Sequence, residues 1–172
     1  MKEQQRDADL TPAVGEWRDV TGDSWSFLAG AVLGESKGIG SLRTAYCIYN
    51  GMTTFLNGFL TAQIRITEQA PSGAGVILRA DEQYSFIAVH VSSSSEDRSM
   101  KLLQVGCMNR GIYHPIATNV NPLDIGSSVL EISVEFFSGD LHAVVAMASG
   151  REELRCKIPH LPFPGYVGLV LK

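Results

Sequence analysis

Apolar and polar residues alternate with period two over two long stretches of the chain. In Phe59–Ile66 (FLTAQIRI), Leu60, Ala62, Ile64 and Ile66 share one side while Thr61, Gln63 and Arg65 share the other. In Val129–Phe137, Leu130, Ile132, Val134 and Phe136 alternate in the same way with Glu131, Ser133 and Glu135. Such alternation predicts strands with one buried and one wet face. Ala74–Leu78 and Phe86–Val91 differ in being apolar at nearly every position. That pattern predicts strands in the interior of the sheets, covered on both sides or lining a partly apolar groove. No window of about 11 or more residues keeps apolar side chains at helical spacing without a Gly or Pro interrupting it, so helices are scarce.

Short polar links separate the apolar runs. Asn57-Gly58, Ser138-Gly139-Asp140 and Ser149-Gly150-Arg151 are of the kind that close hairpins, and the runs flanking Ser138-Gly139-Asp140 are long enough to pair as one. Pro71-Ser72-Gly73 and the Ser-rich, acidic Ser92–Asp97 read as loops. About eleven or twelve strands are predicted: Glu16–Val20, Ser24–Leu33, Arg43–Asn50, Phe59–Ile66, Ala74–Ala80, Tyr84–Val91, Met100–Cys107, Ile112–Asn119, Val129–Phe137, Leu141–Ala148, Glu152–Ile158 and Tyr166–Leu171. No internal repeat is visible, which argues against a propeller. The expected fold class is all-β, a two-sheet antiparallel jelly-roll sandwich, because packing two sheets together limits the exposed edges of so many strands.

Composition bounds the partners. The chain has 172 residues, 45% of them apolar and 19% charged, enough for one folded core and too apolar for a disordered chain. Residues 1–15 alternate charges with small polar side chains and read as a mobile tail, which leaves 16–172 as a single sandwich domain. That tail has no apolar segment of the secretory type. The longest apolar stretches, Ala143–Ala148 and Tyr166–Leu171, fall far short of the ~18 residues of a spanning helix, so no membrane partner is expected. Fourteen basic residues against 18 acidic ones give a net charge of −4. No basic cluster forms the face that phosphate backbones require, so nucleic acid is not expected either. Cys47, Cys107 and Cys156 are widely separated, with no CxxC and no His at ligand spacing. Reduced thiols, no zinc site and no cofactor follow as expectations, in a cytoplasmic protein or a domain excised from a longer one.

The order of motifs carries a resemblance. Glu16-Trp17 is followed by Gly22 and Trp25, then FLTAQIRI, then GAGVILRADEQYSFIAVHV (Gly73–Val91), then LEISVEFFSGDLHAVV (Leu130–Val145), and finally GYVGLVL (Gly165–Leu171). This succession resembles the concanavalin A-like lectin/glucanase superfamily, and more narrowly its laminin-G-like and keto-disaccharide-hydrolase-like branches, over nearly everything after residue 15. The resemblance implies a bent jelly roll whose concave sheet often holds carbohydrate, with loops at its rim. Gly75 and Arg79 match that family's SGI-x-x-R type of strand, whereas Gly73 and Ala74 stand where its polar residues would precede the glycine.

Candidate chemistry is sparse. Glycoside hydrolysis normally needs two carboxyl groups about 5–5.5 Å or roughly 6.5–9.5 Å apart. Glu131 and Glu135 share a side of their strand, but their spacing puts the Cα atoms on the order of 13 Å apart. Ser133 stands where the E-x-D-x-x-E arrangement of the superfamily's glucanases would place an acid. These glutamates are expected to be outward, solvated charges, with Arg65 as a cross-strand partner. His90 and His142, in the middle of apolar strands, read as hydrogen-bonded structural histidines, and His114 and His160 lie near turns. No G-x-S-x-G elbow occurs. Asp81-Glu82 and Asn119–Asp124 offer loop oxygens without a calcium-loop spacing, so no metal is expected. Sugar sites combine aromatic faces with planar polar groups, which singles out Arg79, Tyr84, Tyr49 and Tyr113 as ligand-binding candidates. Arg79 ends an apolar strand and must reach solvent, a ligand or an internal partner, Tyr84 also fits a core position, and Trp17 and Trp25 read as packed against the sandwich. The resulting expectation is a non-catalytic binding module whose partner is a glycan. A protein-interaction or assembly domain is the alternative, and a glycoside-processing enzyme the third reading.

Overall fold

Turn chemistry at the hairpins sets the antiparallel pairing. The computed structural model describes residues 17–20, 25–28, 31–34, 45–49, 56–65, 73–81, 83–93, 100–125, 129–159 and 165–171. Among them are 13 strands and no helix: β1 (Trp17–Asp19), β2 (Trp25–Leu28), β3 (Ala31–Gly34), β4 (Ala45–Tyr49), β5 (Gly58–Arg65), β6 (Gly73–Ala80), β7 (Phe86–Ser93), β8 (Lys101–Asn109), β9 (Ile112–Thr118), β10 (Val129–Phe137), β11 (Asp140–Met147), β12 (Gly150–Lys157) and β13 (Tyr166–Leu171). Ser138-Gly139, between the paired Phe137 and Asp140, and Arg110-Gly111, between Asn109 and Ile112, both have positive φ (49° and 88°; 48° and 83°). Two such residues make the type I′ turn whose twist matches that of the strands it joins.

The strands form a seven-stranded sheet in the order β1-β4-β13-β6-β7-β8-β9, a four-stranded sheet in the order β12-β11-β10-β5, and the separate hairpin β2-β3. Every pairing is antiparallel. The two larger sheets face each other across one core. Leu130, Ile132, Val134 and Phe136 of β10 and Leu141, Ala143 and Val145 of β11 meet Val76, Leu78, Ile87, Val89, Val91, Leu103 and Val105 from the other sheet. Burying each of the Val, Leu, Ile and Phe side chains among them contributes roughly 1.5–3 kcal/mol, before the cost of ordering the chain. A second cluster covers the opposite face of the seven-stranded sheet: Tyr46, Ile48, Ile77, Ala80, Phe86, Ala88, Met108 and Val170. Consequently β6 is buried at all eight positions, as its unbroken apolar run predicts. The result is the all-β antiparallel sandwich expected from the sequence.

Several local expectations are corrected. Among the described residues Asn57-Gly58 closes no hairpin: Gly58 opens β5, which pairs with the distant β10. Ser24–Leu33 is not one strand but the hairpin β2-β3, in which Trp25 pairs with Gly34 and Leu28 with Ala31; Gly30, inside the predicted run, is the kind of residue that interrupts a strand. Tyr84 does not begin a strand. It lies in a turn where Asp81 Oδ1 accepts the N–H groups of Gln83 (2.8 Å) and Ser85 (2.9 Å), so the local side-chain bond outcompetes the ladder. The β11-β12 turn is Ala148-Ser149, one residue earlier than the predicted Ser149-Gly150-Arg151 link, and Gly150 already pairs with Met147. The predicted tail over 1–15, Pro71-Ser72 and residues 94–97 lie outside the described residues, whereas Gly73, Ser92 and Ser93, read as loop, belong to β6 and β7.

Candidate functional site

Arg79 shows how the fold re-aims a side chain. In the β6-β13 pairing Ile77 stands opposite Gly168 and Ala80 opposite Tyr166, so Leu78 and Arg79 together oppose Val167 alone. Two residues against one make a β-bulge, and Arg79 takes the left-handed backbone conformation there, φ 52°. Strict alternation would put Arg79 beside Ile77 on the outer face; the bulge turns it inward with Leu78. Its guanidinium carbon lies 5.9 Å from the centroid of the Phe136 ring. Nε and Nη2 both donate to the Leu56 carbonyl oxygen, at 3.0 and 2.6 Å. Phe136 belongs to β10 and Leu56 leads into β5, so this single side chain ties the seven-stranded sheet to the four-stranded one. It is 4% exposed, and that burial pulls the guanidinium below its usual pKa. Gly165 closes over the bulge: a Cβ there would stand 2.3 Å from the Arg79 carbonyl carbon.

The three candidate tyrosines fall elsewhere. Tyr49 is 7% exposed in the inter-sheet core, with Trp17 against its ring at 5.2 Å between centroids. Tyr113 lies on the outer face of the seven-stranded sheet, where its ring covers Gly106 so closely that a Cβ there would come within 2.3 Å of it. Its ring meets His90 edge-on at 6.0 Å, and burial pushes its hydroxyl up to about 12. Tyr84 packs edge-on against Tyr46 at 5.3 Å and is 40% exposed. The structure thus brings Tyr84 and Tyr113 to one face, sets Tyr49 in the core, and places Arg79 between the sheets. The four residues do not form one surface.

An open polar surface lies on the other sheet. The inward side chains of β5, β10, β11 and β12 fill the core, so their alternating partners face outward. The registers align these partners in rows across the strands: Phe59, Glu135, His142 and Arg155 in one, Thr61, Ser133, Val144 and Glu153 in the next, and Gln63, Glu131, Ala146 and Arg151 in a third. Phe137, Asp140 and Lys157 align beyond the first row. The hydroxyls of Thr61 and Ser133 bond at 3.1 Å. Glu153 gathers the charges, with His142 Nε2 at 2.9 Å, Arg151 at 2.9 Å and Arg155 at 3.9 Å. The hydrogen bond from His142, aided by the neighbouring Arg151 and Arg155, holds its carboxyl below the usual range against the opposing effect of desolvation. Lys157 pairs with Asp140 at 2.5 Å.

Between these groups lies a depression of about 450 Å³, lined by Glu135, Phe137, Asp140, Leu141, His142, Arg155, Cys156 and Lys157. Phe137 is 57% exposed and Phe59 64%. Neither phenylalanine was singled out by sequence reasoning, although both occupy wet-face positions of an alternating strand. An aromatic residue out of phase with its own pattern was the available signal. Glu131 and Glu135 are exposed, as expected. Arg65 stands opposite Val129, while Glu131 faces Gln63 and Ala146, so the expected Arg65 pairing is at most diagonal.

The remaining polar candidates serve the fold. Asn119 accepts the Leu103 N–H at 2.8 Å and donates to the Asn121 carbonyl at 2.5 Å, while Asp81 holds its turn. All three cysteines are free. Among the described residues no group of three or more His, Cys, Asp or Glu side chains could hold a metal ion, and no helix is long and apolar enough to cross a membrane.

No known sequence family matches the chain, and no curated protein matches it in sequence. Solved structures do match in shape. A carbohydrate binding module, CBM66 from Bacillus subtilis, superposes with a TM-score of 0.67 at 13% identity, over 91% of this chain and 87% of that one. A xylan beta-1,4-xylosidase from Bacillus halodurans C-125 gives a TM-score of 0.51 at 12% identity, over 93% of this chain and 36% of that one. At such identities the likeness shows the fold alone, an antiparallel jelly-roll sandwich.

Proposed function

We propose that the chain is a non-catalytic carbohydrate-binding module, lectin-like and built on a concanavalin A-like jelly roll, whose glycan lies on the open face of the four-stranded sheet. The depression beside Phe137 carries this reading. Sugars are held by stacking their apolar ring faces on aromatic side chains and by bonding their hydroxyls to planar polar groups. Phe137 and Phe59 supply the first, and Glu135, His142 and Arg155 the second. The volume falls within the roughly 300–1,000 Å³ of small-molecule sites. The shared fold with a carbohydrate binding module supports the reading at the level of architecture. The exposure of Glu135 and Asp140, and the pairing of Asp140 with Lys157, support binding without cleavage, because a general acid normally sits in an apolar pocket.

A glycan array followed by calorimetry tests this. Phe137→Ala and Arg155→Ala are each expected to weaken binding by about tenfold or more, the scale of a lost aromatic contact or charged hydrogen bond, with melting curves unchanged. Binding that survives both substitutions would move the site elsewhere, and no glycan binding at all would retire the reading. The exposure of Phe59 and Phe137 also suits a protein-interaction or assembly surface. Self-association of the wild-type chain, lost in Phe59→Ser, would favour that alternative.

A further inference from the structure

We infer, on the glycan reading above, that the ligand is an internal stretch of a neutral linear polysaccharide lying across the strands along the row Phe59, Glu135, His142 and Arg155. Three observations lead there. The registers place these four side chains in one line perpendicular to the strands, at successive spacings of about 4.7–4.9 Å. A sugar unit in an extended glycan advances its chain by about one such spacing, so successive units meet successive side chains.

The ends of the row are open. β5 and β12 are the edge strands of this sheet. Phe59 at one end is 64% exposed and the Arg155 side chain at the other 74%. With both end side chains open to solvent, a chain can enter at one edge and leave at the other, and its terminus needs no pocket.

Charge then selects a neutral chain. Asp140 is neutralised by Lys157, and Glu153 by Arg151. What remains in the row is Glu135, two strands from Arg155, which is itself only loosely held by Glu153 at 3.9 Å. These opposite charges balance. Hydroxyls can donate to Glu135 and accept from Arg155, whereas the carboxylates of an acidic glycan would be set against Glu135.

Calorimetry with xylan- and β-glucan-derived oligosaccharides of one to six units, their end-capped derivatives, and polygalacturonate oligomers of the same lengths separates the outcomes. Affinity for one or both neutral series is expected to rise stepwise to about four units and then level off. End-capping should change it less than about twofold, and polygalacturonate should bind at least about tenfold more weakly. Phe59→Ala should cost the four-unit chain about tenfold while leaving the two-unit chain within about twofold, because the depression lined by Glu135, His142 and Arg155 holds the shorter chain and only the longer one reaches the edge strand β5. Full affinity for a single unit, or loss on end-capping, would overturn the inference in favour of chain-end recognition while leaving the glycan reading intact. Tighter binding of polygalacturonate would overturn the neutral class. Absence of binding to every glycan would overturn the reading itself and the inference with it.

Discussion

β6 and β10 lie on opposite sides of one core, yet β6 is buried at every position while β10 exposes most of its alternate side chains. The central strands β6 and β7 of the seven-stranded sheet pack on both faces, and the polar residues buried within them (Arg79, His90, Ser92) are held inside the fold. The four-stranded sheet spends one face and leaves the other to solvent. The open polar surface therefore lies on the sheet whose strands alternate. The largest expected effect breaks this comparison directly. Ile77→Ala, on the outer cluster of the seven-stranded sheet, should cost about 2–5 kcal/mol in urea denaturation. Glu131→Ala, on the open face, should stay within about 0.5 kcal/mol. Equal, small losses would mean that the outer face is not a packed surface.

The tyrosines sharpen the same contrast through pH. Burial, then the charges of Tyr84 and Asp81, push the Tyr46 hydroxyl from 10.0 up to about 12, and burial does the same for Tyr113. In both the folded pKa exceeds the unfolded one, so the native state holds the proton longer. Their stabilising contribution is complete below pH 10 and disappears as the pH rises towards 12. For Tyr46, fully buried, a shift of that size corresponds to roughly 2–3 kcal/mol. Phenolate absorbance should show these two rings ionising only together with alkaline unfolding. Their ionisation in the still-folded protein, near the ordinary value, would show the outer face to be wet.

Arg79 comes next in size and marks the limit of what the sequence discloses. Replacing it with Ala removes two hydrogen bonds to Leu56, the contact with Phe136 and the tie between the sheets. The expected loss is roughly 1.5–3 kcal/mol, which lowers the melting temperature by about 2–4 °C per kcal/mol in a domain of this size. Glycan binding on the open face should be unchanged; a stable Arg79→Ala variant that no longer binds would return Arg79 to the ligand. The sequence shows that Arg79 must find a partner, because a charge closing an apolar run cannot remain unpaired in the core. It does not show which side of the sheet the arginine faces. That depends on the bulge opposite Val167 and on the close approach of Gly165, which are settled by the pairing of β6 with a strand near the end of the chain. Periodicity, being local, disclosed the strands of both sheets and the wet face of β10. The Phe59, Glu135, His142 and Arg155 row needs the registers of four strands at once. Of these, the type I′ turn at Ser138-Gly139 fixes β10 against β11 locally, whereas β5 reaches β10 only through tertiary structure.

The smallest expected effect lies on the open face itself. Glu153 accepts from His142 and Arg151 on a surface where its side chain is 43% exposed, so solvent screens what these contacts contribute to stability. Its carboxyl titrates below the ordinary 4.5 because the hydrogen bond from His142, and after it the nearby cations, favour the charged form. With the folded pKa depressed, its contribution is present above the unfolded value and fades as the pH falls through the folded one. Glu153→Gln should therefore leave the melting temperature slightly lower near neutral pH, and the gap to wild type should close in acid and in concentrated salt. The same substitution uncovers the positive charge of Arg151 in the neighbouring row, so weak binding of polygalacturonate oligomers should strengthen relative to wild type even as stability barely changes. A melting gap that persisted in acid and in high salt would put Glu153 among the packed side chains, and the open face would then be a second core surface like the outer face of the seven-stranded sheet.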